Sequence, residues 1–251
     1  MKIFLIFFLL ICSTIQSREV GQTEITTEEG IEVYQKEKYY LLKKNVFIDS
    51  DNFTLKAEKV KAFFEKDLYD IVEIFSIGNV SLESNNDLKV LGNEVDYNVI
   101  EESIDIRGKN CFFQNSKFTM ISDKNISVNN TTGFFDLYGN NAKLEGNNII
   151  IIGEKINGKF TNIDGQNAIE NLDAEDKEEL NIKTETLDMY SLKAKFNSME
   201  NTIELFDNVK IIRDNELILG DYAIINTLDE SYKIKSNESK RVKVLLEKQD
   251  E

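Results

Sequence analysis

The chain has 251 residues, 41% hydrophobic and 30% charged, long enough to bury a substantial core and too apolar for wholesale disorder. Thirty basic against 45 acidic residues leave a net charge of −15, which excludes a phosphate-binding surface of the nucleic-acid type. His, Pro and Trp are absent, so the commonest general base and the commonest metal ligand are both missing.

In chain order, the first segment is MKIFLIFFLLICSTIQS, with Lys2 ahead of an apolar run from Ile3 to Ile11. The run is too short to cross a bilayer as a helix and has the shape of a secretory signal cleaved after Ser17. Residues 1–17 are therefore read as a signal and 18–251 as one exported domain, with the periplasm as its expected compartment. An uncleaved anchor is the alternative. A lipidated Cys12 is disfavoured by the bulky Ile11 before it. Removing the signal leaves Cys111 as the lone thiol, which rules out an internal disulfide and predicts burial.

From residue 40 a two-part pattern repeats. Its first half reads YLLKKNVFI (40–48), IFSIGNVSL (74–82) and IELFDNVKI (203–211), with apolar residues on alternate positions. Period two predicts a strand with one buried face. IDIRGKNCFF (104–113) and FDLYGNNAKL (135–144) are looser copies with one extra residue, as a β-bulge requires. The second half reads LKAEKVKA (55–62), VLGNEVDY (90–97), MYSLKAKF (189–196) and ILGDYAII (218–225). Its apolar spacing of two, three, two breaks alternation once, which predicts a kinked strand. Small residues Ala57, Gly92, Ser191 and Gly220 sit at the kink, where backbone is expected to approach backbone.

The halves are joined by a decapeptide written three times: YNVIEESIDI (97–106), FNSMENTIEL (196–205) and INTLDESYKI (225–234). Its polar centre is turn chemistry, so one hairpin is built three times. Acidic pairs Glu101/Glu102 and Asp229/Glu230 occupy equivalent turns and are read as turn residues, not as a catalytic or calcium site. The Asn anchors at 45, 79, 110, 141 and 208 lie 34, 31, 31 and then 67 residues apart. A worn copy around Asp173-Ala174 fills the long gap and gives five or six units. ENLDAEDKEEL (170–180) is read as a solvated acidic loop, and Ile149–Ile152 as a fully buried or lipid-lining strand. Lys240–Arg241–Val242–Lys243 is a small basic cluster, read as solvated.

Antiparallel hairpins with one apolar face have to bury it, and no amphipathic helical segment follows residue 17 to cover a sheet. The expected fold is all-β: repeated hairpins that supply both walls of a trough open at two strand edges. NVFIDSDNFTLKAEKVKAFF, GNVSLESNNDLKVLGNEVDY and DNVKIIRDNELILGDYAII resemble the organic-solvent-tolerance (OstA-like, LptA) family over roughly residues 24–247. The resemblance implies a twisted, slightly open β-jelly roll. Acyl chains of lipopolysaccharide (its lipid A) would lie inside, related Lpt proteins would pair at both strand edges, and copies would associate head to tail. It implies a periplasmic bridge between membranes. An LptC-like anchored component or an LptD-N-terminal-like one is the alternative, as is a structural β-repeat protein.

The physics is compatible: each methylene kept from water contributes about 0.8 kcal/mol, so a multi-acyl amphiphile needs a shielded path. Val46, Ile48, Val80, Leu82, Val95, Leu205, Val209 and Ile211 are the candidate lipid-facing residues, each of which could equally fill a dry core. No nucleophile motif, metal-spaced cluster or phosphate loop occurs, so no enzymatic activity, metal or cofactor is expected. The unlike first (Gly30–Ile48) and last (Tyr232–Leu246) strands predict heterologous, head-to-tail pairing.

Overall fold

A computed structural model describes residues 22–246 apart from 67–69, 86, 147, 164–165, 215 and 238–240; the signal-like segment 1–17 lies outside the described residues. The described chain is all strand, turn and extended segment. In order these are β1 (Glu24–Thr26), β2 (Ile31–Tyr34), β3 (Tyr39–Asp49), β4 (Phe53–Phe64), β5 (Ile71–Ser84) and β6 (Lys89–Asn98). Next come β7 (Ser103–Arg107), β8 (Cys111–Gln114), β9 (Phe118–Ser122), β10 (Asn125–Asn129), β11 (Phe134–Gly146) and β12 (Ile149–Ile163). The last six are β13 (Gln166–Lys183), β14 (Asp188–Asn197), β15 (Thr202–Arg213), β16 (Glu216–Asn226), β17 (Tyr232–Lys235) and β18 (Lys243–Leu246).

Every ladder is antiparallel and joins passes adjacent in sequence. β7 and β8 together face β6, β9 and β10 together face β11, β1 and β2 face β3, and β17 and β18 face β16. Four passes are thus split in two, and the 18 segments make 14 passes, or seven hairpins. Seven exceeds the five or six units the Asn anchors suggested, because the passes at the two ends and in β13 lack the full motif.

Apart from register shifts near strand ends, at Phe63/Phe64 and Lys159/Phe160, the splits and irregularities fall on one line across the sheet. Lys43 pairs with Lys59 and Val46 with Ala57, so Lys44 and Asn45 oppose the single residue Glu58. Gly78-Asn79 oppose Asn93, and Asp207-Asn208 oppose Asp221. Both residues of each doublet have positive φ: 65° and 48°, 86° and 45°, 64° and 54°. This is why the motif reads [K/G/D]-N ahead of Val. Asn and Gly enter the left-handed region at least cost, and the doublet bends the strand. The partner strand passes the bend with one residue, which flips its inward parity and writes the two-three-two spacing. A Cβ on Gly220, at one such crossing, would lie 2.9 Å from the Lys235 carbonyl oxygen, so the expected close backbone approach is present there. Replacing Asn208 by Ile should destabilise the fold by about 1–2 kcal/mol, whereas Asn208→Gly should be near neutral; denaturant unfolding of both variants checks this.

The expected loop at 170–180 is strand. Leu172, Ala174, Leu180 and Ile182 of β13 are buried, and the acidic residues between them point outward. Its bulge is four residues wide, 176–179, where the Asp176 carboxylate accepts the N–H groups of Glu178 and Glu179. Outward charge and a wide bulge hid the period. In the Ile149–Ile152 run only Ile151 is fully buried, because the strand alternates and its neighbours in sequence face the outer side. The 104–113 copy is broken outright into β7 and β8 by Gly108 (φ 108°) and Asn110 (φ 60°).

The repeated decapeptide makes the same turn three times. Asn98 Oδ1 accepts from the N–H of Ile100 and Glu101 (both 3.0 Å), and Asn197 Oδ1 from Met199 and Glu200 (3.0 and 3.3 Å). Asn226 Oδ1 accepts from Leu228 (2.8 Å). Four residues on, Glu102, Asn201 and Glu230 have φ of 49°, 52° and 54°.

On the outer face Asp96 lies directly opposite Asp105, with Glu73 diagonal to it on β5. Burial, and then Asp96, raise the carboxyl of Glu73 above the ordinary range; burial raises that of Asp105 against the pull of Arg107, with Asp96 adding to it. A raised carboxyl contributes stability below its unfolded pKa and loses it as pH rises through its folded pKa. Lowering the pH from 7 towards 5 should therefore stabilise the protein. Asp105→Asn should stabilise it at pH 7 by about 0.2–1 kcal/mol, the scale of an opposed like-charge pair, and blunt that pH response in thermal melts.

Candidate functional site

The bulge line has a geometric consequence. A flat strand of 12 residues would set its two turns about 40 Å apart. Yet one cavity of about 840 Å³ touches turns at both ends of the passes: Asn52, Asn85 and Asn115 from one row, Glu102, Asn130 and Thr131 from the other. The sheet is folded along the bulges, its two halves face each other across one core, and the two rows of turns meet as the lips of a cleft.

The floor of the cleft is apolar. Ile74, Leu82, Ile104, Phe113 and Phe160 are buried there, and Phe53, Leu88 and Tyr97 pack half-buried against them. Its volume lies within the range of small-molecule pockets, about 300–1,000 Å³. The cleft is closed towards the C-terminal half. Phe160 of β12 stacks between Phe118 of β9 (5.7 Å between ring centres) and Phe135 of β11 (5.5 Å), which joins the two sheet halves. Beyond it, the space between Ile149, Ile169, Phe196 and Ile203 holds about 10 Å³, no more than one water. Further along, the lips are clasped. Glu230 from one row accepts from Thr184 of the other (3.1 Å), and Arg213 Nη2 donates to the Glu230 carbonyl (2.8 Å). The acidic turn residue Glu230 is thus structural.

Of the eight candidate residues, Leu82 lines the cleft. Val46, Ile48, Val80, Val95, Leu205, Val209 and Ile211 are all inward and buried, at 6% exposure or less, and pack in the core away from it. Glu204 and Lys210, beside Leu205 and Val209, are half-exposed. The cleft's own residues are apolar positions at strand ends, beside the turns. Tyr97 carried a signal, as the aromatic that closes a second-half strand. Phe53, Leu88 and Phe160 did not, because nothing local says that turns from opposite ends of a strand will meet. Cys111 is fully buried, its Sγ 3.0 Å from the Gly108 carbonyl, and burial pushes its thiol up to about 11.

The two terminal passes are unlike the rest. The ladders join β1 and β2 only to β3, and β17 and β18 only to β16, and no contact links the first pass to the last among the described residues. Of the 14 exposed large apolar residues among those described, half are concentrated there: Ile25, Ile31 and Val33 at one edge, Val242, Val244, Leu245 and Leu246 at the other.

No protein-family model matches the chain, and no curated protein matches its sequence. Among solved structures the chain is similar to LptH, described as the LptA homologous periplasmic component of the conserved lipopolysaccharide transport device from Pseudomonas aeruginosa. The match covers 90% of this chain and 96% of that one, at 8% identity and a TM-score of 0.23.

Proposed function

We propose that the chain is a non-enzymatic carrier that holds the acyl chains of an amphiphile, of the lipopolysaccharide class, in the cleft between its two rows of turns. The observation that supports this most is the pairing of an apolar floor with polar lips along one open side. Such a site shields tails while the head stays in water, at about 0.8 kcal/mol per buried methylene. The motif resemblance to OstA-like proteins supports lipopolysaccharide as the class and the periplasm as the compartment. The unpaired, apolar-rich edges support pairing with copies of this chain or with related folded sheets at both ends.

The chain contains no Trp, so Tyr97→Trp supplies a single indole at the cleft. Adding lipopolysaccharide should shift its emission to the blue and raise it saturably. An indole emission unchanged by lipopolysaccharide would remove the carrier reading.

A further inference from the structure

The lips carry information about the head group that the floor does not. Beyond Asn52, Asn85, Asn115 and Asn130 they include Thr131 and Thr132, all neutral amides and hydroxyls. Among the described residues lining the cleft, Lys159 is the one cation and Glu102 the one anion, so the rim carries no net charge. The Lys159 ammonium is already engaged 3.0 Å from the Glu170 carboxylate. Phosphate recognition uses Arg forks, free Lys ammonium groups or clustered backbone N–H groups at a helix start; the rim has no Arg, no helix starts there, and its one Lys is already paired. The chain's net charge of −15 opposes an anionic head further.

The amide side chains are arranged differently. Asn115 Oδ1 accepts from the N–H of Lys117 (2.9 Å) and Phe118 (2.8 Å), which leaves its Nδ2 donors for an outside acceptor. The Thr131 hydroxyl donates to the Glu101 carbonyl (2.9 Å), which leaves its oxygen as an acceptor; that of Thr132 donates to Asn129 Oδ1 (2.8 Å) and accepts from the Phe134 N–H (3.5 Å), which leaves it one lone pair. Mixed donors and acceptors without net charge match the hydroxyl and amide groups of a sugar, which both give and take hydrogen bonds.

Resting on the carrier reading above, we infer that the cleft selects an acylated saccharide whose head is uncharged where it meets the lips, and discriminates against phosphate there. The test compares two probes that share acyl chains and sugar backbone: bis-phosphorylated lipid A and the same lipid A after dephosphorylation. Both are presented in one non-ionic detergent at low salt to the full chain carrying Tyr97→Trp. The dephosphorylated form should saturate the emission change at a concentration at least about fivefold lower. Adding Asn85→Lys and Thr132→Lys, both on exposed lip positions, should erase or invert that preference. Equal or tighter binding of the phosphorylated form would overturn the head-group inference and leave the carrier reading intact. Failure of both forms to change the emission would overturn the two together.

Discussion

Leu88→Arg should weaken lipopolysaccharide binding at least tenfold while leaving the thermal transition of the fold nearly unchanged. Leu88 lies beside the turn that precedes β6, half-buried against the cleft floor. Its replacement keeps an aliphatic stem on the floor and lifts the guanidinium towards the lips, so the fold has little to lose. An acyl chain entering the cleft would have to displace that stem or desolvate the charge, and an unpaired buried charge costs several kcal/mol. Leu228→Arg is the matched control: Leu228 stands at a turn tip, 76% exposed and outside the cleft, and its replacement should bind as the parent does. Titration of the two variants with the same lipopolysaccharide separates occlusion of the cleft from a general charge effect.

Proline in the last strand should convert concentration-dependent oligomers to monomers. β18 pairs only with β16, through Val244 opposite Ile218 and Leu245 opposite Leu217, and all four of its residues are exposed. Successive N–H groups of an antiparallel edge strand point alternately into the sheet and away from it. Of Val244→Pro and Leu245→Pro, one therefore removes a donor that a second chain would use and the other a donor to β16. The first should reduce oligomers at unchanged melting temperature, and the second should fray only β18. The bulge-centred hairpins lie many strands away and should stay folded in both. Because β1 and β2 differ in sequence from β17 and β18, a joint between the first pass and the last would be heterologous, with no closed two-fold form. If sedimentation finds a concentration-independent monomer in the parent, or oligomers that ignore both prolines, the edges are not interfaces.

The strands were legible because burial of one face imposes period two, and the bulge because it imposes a chemical requirement. Asn79 and Asn208 sit at positive φ, where few residues go willingly, and so the sequence marks the bend wherever it is tight. Where the bend is looser the mark fades. The 176–179 bulge closes with a side-chain cap from Asp176, needs no Asn, and left an acidic run that reads as a loop. The cleft was harder to read for a different reason. Whether a buried Val or Leu touches core or cavity depends on how sharply the sheet folds, which is a property of all the bulges together. Ile211 and Leu82 occupy equivalent motif positions, yet one packs in the interior and the other lines the cleft. Neighbouring turns signal their own conformation, as Asn98 and Asn197 do, but not which distant turn they will face.

The central claim, that the cleft and not the outer face receives acyl chains, is tested most directly by photo-crosslinking at two adjacent positions of β6. A benzophenone side chain at position 97 replaces a ring that lines the cleft, and one at position 96 stands on the outer face opposite Asp105. In protein exposed to lipopolysaccharide and irradiated, position 97 should yield the lipid adduct and position 96 should not. Equal adducts at both positions, or an adduct at 96 alone, would contradict the cleft as the lipid site.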